Sequence, residues 1–202
     1  MNKKTLIGTW ITIPDTRIAE ILCSSKLDWI TIDREHSSIS YEQVENIIRV
    51  ANLNKMKVYV RISSINSSEI KKVLDSGADG IIIPNVKTED QIKKIVNYSY
   101  YPPIGTRGVG LTRANAFGDK FNEYYTNYSK KIKLIVQIEH YAAVDNITKI
   151  LSNKYVDGFF IGPYDLSASL GVPGKFKSKK YLKYENKIKN YMKNSKLLKG
   201  VH

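Results

Sequence analysis

One cysteine, Cys23, three histidines and only 19 acidic residues against 32 basic ones are the scarcities of this 202-residue chain. A single cysteine excludes an internal disulfide and a thiolate metal cluster, so a reducing cytoplasm is the expected compartment. Long apolar runs are missing as well. Nothing approaches the roughly 18 to 20 apolar residues that span a bilayer. The N-terminus starts basic at Lys3 and Lys4, but Gly8, Thr12 and Asp15 interrupt the apolar stretch behind it, so no secretory signal is expected. No linker, low-complexity block or composition break divides the chain, and a single domain over residues 1–202 is the expectation.

The shortage of acids leaves a net charge of +13, which invites a nucleic-acid partner. Its distribution argues otherwise. From Lys175 onward there are ten lysines and one acid, Glu185, so +9 of the +13 sits in this tail. Most of those lysines fall at helical spacing opposite Tyr181, Tyr184, Ile188, Tyr191 and Met192, as they do on the solvated face of an amphipathic helix. Nucleic acid is therefore not an expected partner, and neither is a membrane.

What is present is alternation. Short β-branched runs at Leu6–Thr12, Trp29–Asp33, Lys57–Arg61, Gly80–Pro84, Lys133–Glu139 and Gly158–Ile161 read as strands. Helical patterns lie near Arg17–Ser25, Tyr41–Asn54, Ser67–Ser76, Thr88–Tyr98, Ala142–Leu151 and Lys179–Ser195. Continuous apolar runs such as Ile81-Ile82-Ile83 are how strands covered on both faces read. This is the signature of repeated β/α units on a parallel sheet. Six units leave two architectures open: a barrel, and an open doubly wound sheet. The segment Tyr101–Tyr128 is too long for a plain connection.

Polar residues gather at the carboxyl ends of these strands: Asp33, Glu35 and His36 after the second, Arg61 on the third, Gln137 and Glu139 on the fifth, Asp165 after the sixth. Each alone has a bland reading, and Asp165 ahead of Leu166-Ser167-Ala168 suits a helix cap. Together they match the way barrel enzymes assemble a site from several strand ends. Two carboxylates without cysteine suit a hard cation, Mg²⁺ or Mn²⁺, acting as a Lewis acid on a carbonyl. Arg61 offers positive charge where an enolate oxygen develops, and His36 is the natural proton carrier. His140, next to Glu139, points to the other side of an extended strand and reads as structural.

These residues belong to ordered motifs: Asp33-Arg34-Glu35-His36, Val60-Arg61-Ile62, Leu74-Asp75-Ser76-Gly77-Ala78, Tyr101-Pro102-Pro103 with Gly105-Thr106-Arg107-Gly108-Val109-Gly110, Val136-Gln137-Ile138-Glu139, and Val156-Asp157-Gly158 through Gly162-Pro163-Tyr164-Asp165-Leu166-Ser167. The ordered set resembles the HpcH/HpaI aldolase family, of the 4-hydroxy-2-oxoheptanedioate and 2-dehydro-3-deoxyglucarate aldolase type. The resemblance implies a (β/α)₈ TIM barrel of the phosphoenolpyruvate/pyruvate type and reversible cleavage of a 4-hydroxy-2-oxo acid into pyruvate and an aldehyde. It implies a divalent metal on Glu139 and Asp165, with His36 as proton acceptor supported by Asp75. Arg61 is the enolate-stabilising cation, and Gln137, the backbone at Tyr164 and Asp165 contact substrate. A homo-oligomer is the implied assembly.

The resemblance also marks departures. Arg34 and Tyr164 stand where the family carries small residues, so Tyr164 is expected to narrow the pocket. His140 replaces a common threonine. A full barrel takes about 250 residues, so this chain is expected to stop after its sixth β/α unit, without strands seven and eight. The competing functions are a citrate lyase β or malyl-CoA lyase type of C–C lyase, and an inactive barrel remnant serving as a scaffold or a polyanion binder.

Overall fold

The computed structural model describes residues 5–201. Seven strands form one sheet in sequential order, every pair parallel: β1 (Gly8–Ile11), β2 (Trp29–Asp33), β3 (Lys57–Arg61), β4 (Gly80–Ile83), β5 (Lys133–Ile138), β6 (Gly158–Ile161) and β7 (Leu198–Val201). A doubly wound sheet reverses its strand order at a switch point; this one never does. The sheet also curls. In a flat sheet β1 and β6 would lie about 24 Å apart, at roughly 4.8 Å per strand. Instead the rings of Trp10 and Phe160 meet edge to face at 6.3 Å, and Trp29 adds contacts to Phe160 and Tyr59. The strands therefore follow the course of a TIM barrel, with aromatic side chains filling the interior.

The helices α1 (Thr16–Cys23), α2 (Tyr41–Leu53), α3 (Ser67–Asp75) and α4 (Glu89–Ser99) return the chain between the first five strands. Each starts at a side chain that accepts a backbone N–H: Asp15, Ser40, Asn66 and Thr88. Ser40 and Thr88 form reciprocal capping boxes with Gln43 and Gln91. Their apolar faces close over strands such as Ile81–Ile83, which are wholly buried.

At the amino ends of β2, β4 and β6 the same device repeats. Asp28, Asp79 and Asp157 each accept the backbone N–H of the neighbouring odd strand's leading edge, from Ile7, Val58 and Leu134 at 2.9, 3.0 and 3.0 Å. Asp79 and Asp157 also hold Lys57 and Lys133. These acids fasten the floor of the barrel and leave its opposite end to carry function.

Between β4 and β5 the long segment contains a 3₁₀ turn (Arg113–Gly118), the single-turn helix α5 (Phe121–Glu123) and a π turn (Tyr124–Tyr128). Past β5, the expected helix Ala142–Leu151 is two pieces, α6 (Tyr141–Asp145) and α7 (Ile147–Leu151). They break at Asn146, whose side chain donates to the Lys87 carbonyl at 3.1 Å. After β6 come α8 (Pro163–Ser169) and the lysine-bearing α9 (Lys179–Asn194), which buries Tyr181 and Ile188. No described helix is long and apolar enough to cross a membrane.

One expectation needs correction. The sheet does not end at Gly158–Ile161: a seventh strand pairs Leu198 with Gly158 and Val201 with Ile161. Its four residues, Leu-Lys-Gly-Val, lack the β-branched run that marked the other strands. Gly200 is required there, because a Cβ would fall 2.3 Å from the Phe160 ring.

Candidate active site

Asp33 and Arg61 are direct neighbours in the β2–β3 register, and their side chains lock together. Arg61 Nε donates to Asp33 Oδ1 at 2.9 Å and Nη2 to Oδ2 at 2.7 Å, a bidentate pair buried on both sides. Burial alone would push the Asp33 carboxyl up; the Arg61 bonds and the backbone N–H groups of Glu35 and His36 outweigh it and hold the pKa low. The guanidinium lies over Trp10 at 4.5 Å. Its remaining nitrogen, Nη1, points to Gln137 Oε1 at 3.5 Å and Glu35 Oε2 at 3.3 Å.

Glu139 follows the last residue of β5 and is buried. Its Oε1 accepts the Asn85 backbone N–H at 2.6 Å and its Oε2 accepts a short hydrogen bond from the Gln137 amide. Asn85 adopts the left-handed region at φ 56, which asparagine tolerates better than most residues. Gly162 leaves the space Glu139 needs: a Cβ there would sit 3.0 Å from Glu139 Cβ and 3.1 Å from Oε2. Burial pushes the Glu139 carboxyl up to about 7, and the charges of Glu35 and Asp165 push the same way against the Asn85 N–H and Arg61.

Asp165 lies in the first turn of α8. It is not the cap; Gly162 holds that position and caps with no side chain. Its carboxylate is exposed and couples to both Glu35 and Glu139 through space. Glu35, raised by burial and by Asp33 and Asp165 against Arg61, completes the group. Asp33 and Glu35 contact the Arg61 guanidinium, and Glu139 and Asp165 lie close enough for their charges to act on Glu35. This end of the barrel thus carries more negative than positive charge, which a cation relieves. Among the described residues no three His, Cys, Asp or Glu side chains form a ready-made cluster. Glu139 and Asp165 are the carboxylates here that could hold a cation, and carboxylates without thiolates suit Mg²⁺ or Mn²⁺. Glu35 Oε2 is buried and accepts no hydrogen bond; its positive partner is Arg61 Nη1 at 3.3 Å.

The remaining expected residues divide. His36 stands at the mouth with its side chain 61% exposed and Nε2 3.8 Å from Glu35 Oε2. Gln137 is in the site. The Tyr164 side chain is 71% exposed and packs edge to face on Phe176 at 5.1 Å, so it lies on the rim and does not narrow the interior. Asp75 is elsewhere. It ends α3, close to the amino ends of the strands, whereas His36 follows the carboxyl end of β2. There its Oδ1 takes Arg107 Nη2 at 2.6 Å, and Arg107 lies fully buried under the Tyr101 ring at 4.7 Å. Within one chain Asp75 does not support His36.

Two departures have structural reasons. Arg34 bonds Glu69 at 2.9 Å and the Ile39 carbonyl at 3.1 Å and stacks on Tyr41, clamping the turn that carries His36. His140 caps α6 by accepting the Ala142 N–H at 3.1 Å. Sequence reasoning missed Asn85; its one signal was an asparagine directly after the Pro84 that ends a buried strand.

The model of the HpcH/HpaI aldolase/citrate lyase family matches residues 6–201. A 2-keto-3-deoxy-L-rhamnonate aldolase of Escherichia coli is 38% identical over 169 residues, covering 83% of this chain and 63% of its own. One from Klebsiella pneumoniae is 37% identical over 175 residues, covering 86% and 65%. The chain thus spans less than two thirds of the length of these relatives. Among solved structures, an HpcH/HpaI aldolase/citrate lyase family protein of Burkholderia cenocepacia superposes with a TM-score of 0.92 at 29% identity, covering 98% of this chain and 79% of its own.

Proposed function

The chain belongs to the HpcH/HpaI aldolase/citrate lyase family, and from that footing we propose that it is a divalent-metal-dependent aldolase. Its substrate class is a 4-hydroxy-2-oxo acid of the 2-keto-3-deoxy sugar-acid type, cleaved reversibly to pyruvate and an aldehyde. The likeness to 2-keto-3-deoxy-L-rhamnonate aldolases supports the substrate class. The observation that carries the reading is the electrostatic grouping of Glu139 with Glu35, Asp165 and Arg61 at the carboxyl ends of the strands.

Glu139 and Asp165 would hold Mg²⁺ or Mn²⁺, and such an ion supplies Lewis-acid stabilisation of charge on the 2-oxo oxygen. The chain's own groups do the rest. Asp33 fixes the plane of the guanidinium, so Arg61 faces the developing enolate oxygen without reorganising. Gln137, anchored on Glu139 and near Arg61, and the backbone at Tyr164 orient the acid end of the substrate. His36 takes the proton of the 4-hydroxyl; the C3–C4 bond breaks, its electron pair passes to the enolate of pyruvate, and the aldehyde departs. Protonation of C3 then yields pyruvate.

Asp75 serves in this reading as the counter-ion that makes Arg107 buriable. The segment Arg107 anchors exposes Val109, Leu111 and Phe117, a surface suited to a second copy of the chain, and a homo-oligomer is part of the proposal.

The test is a pyruvate-release assay with Mn²⁺ across 2-keto-3-deoxy sugar acids and shorter 4-hydroxy-2-oxo acids. Pyruvate from at least one of them is expected. Acetyl-CoA from a CoA thioester, with no pyruvate from any acid, would replace this reading with the citrate-lyase branch of the family.

A further inference from the structure

Asn85 donates its backbone N–H to Glu139 Oε1 at 2.6 Å, while the residue itself is exposed. It therefore reaches the buried carboxylate through its backbone. That backbone is unusual, with φ at 56. The other described non-glycine residues with positive φ, Lys55, Ala116 and Phe117, lie on the α2–β3 connection and in the β4–β5 segment, outside the site.

The conformation is held from both sides. Upstream, Ile83 and Pro84 are buried at the end of β4. Downstream, the Lys87 and Thr88 N–H groups both donate to Gln91 Oε1, at 2.7 and 3.0 Å, and the Lys87 carbonyl accepts the Asn146 amide at 3.1 Å. Backbone kept in a sparsely populated region by its surroundings clusters at functional sites. What it serves here is the orientation of Glu139. A carboxylate offers about four lone-pair positions on its two oxygens. The Asn85 N–H takes one on Oε1 and the Gln137 amide one on Oε2. Gly162 lies against the same oxygen, where a Cβ would stand 3.1 Å away. Each oxygen is thus held by one donor and keeps room for a cation.

We infer that Asn85 is a positioning residue for the metal ligand Glu139. Its left-handed turn aims the N–H that orients the carboxylate before an ion arrives, so less freedom is lost on binding. The position needs a conformation more than a side chain. Glycine serves there, alanine serves less well, and a β-branched residue does not. The inference rests on the reading of Glu139 as a ligand, and on the printed geometry for the contact.

The deciding experiment titrates Mn²⁺ onto the metal-free proteins and follows the free-ion EPR signal, with the melting temperature of each recorded in EDTA. Asn85→Gly is expected to bind Mn²⁺ within about threefold of wild type, and Asn85→Val about tenfold more weakly. Asn85→Ala, a milder break of the same turn, should fall between them and decides the matter where the valine variant does not fold. Wild-type affinity in both Asn85→Ala and Asn85→Val would overturn the inference. So would an Asn85→Gly protein as weak as Asn85→Val, which would make the carboxamide the acting group. Glu139→Gln supplies the separate check: wild-type Mn²⁺ affinity there would overturn the ligand reading itself and the inference with it. Because binding needs no turnover, a protein that shows the expected order of affinities and releases no pyruvate would overturn the aldolase reading alone.

Discussion

Arg61 and Asp33 are paired twice over: as register partners across β2 and β3, and as a bidentate side-chain pair at 2.9 and 2.7 Å. The backbone pairing sets the side-chain pairing, so the orientation of the guanidinium is built into the sheet and needs no loop to close. Arg61→Lys keeps the charge but loses the fork. It is expected to lower kcat about a hundredfold with little change in KM. Asp33→Asn leaves a buried guanidinium half unpaired and should cost about 3 kcal/mol of stability as well, read by urea denaturation.

Glu139 makes metal-free stability depend on pH. Its carboxyl stands at about 7 in the fold against an ordinary 4.5. Between those values the folded state holds a proton that the unfolded chain releases, so stability is fully present below pH 4.5 and falls as pH rises to 7, by roughly 3 kcal/mol. With EDTA present, the melting temperature should drop across this window, and Glu139→Gln should abolish most of the drop.

Asp75 and Arg107 give the opposite kind of variant. Arg107 is fully buried and its counter-ion is a single carboxylate at 2.6 Å. Asp75→Asn should destabilise the protein by about 3–5 kcal/mol in thermal or urea unfolding.

The β/α alternation and most strand bounds were readable because buried parallel strands show as unbroken runs such as Ile81–Ile83, set apart by longer helical patterns. The barrel course was not readable from those runs: it depends on Trp10 meeting Phe160 across the interior, a contact between distant residues. β7 escaped because its pairing is imposed by β6 and by Gly200 fitting over Phe160, not by local β propensity. In the site, residues at strand ends were legible because strand direction places them together. Asp75 ends α3, at the opposite end of the barrel from His36 of the same chain, a displacement that a motif does not record. Asn85 escaped because its contribution is a backbone N–H aimed by a left-handed turn.

The central claim is that Glu139 and Asp165 hold the metal on which cleavage depends. Pyruvate release should be measured on the wild type, Glu139→Gln and Asp165→Asn after EDTA dialysis, then after adding back Mn²⁺ or Mg²⁺. The account predicts no release from the dialysed wild type, recovery on addition of either ion, and no recovery in the two variants. Turnover that persists in EDTA, or wild-type turnover in Glu139→Gln, would contradict it.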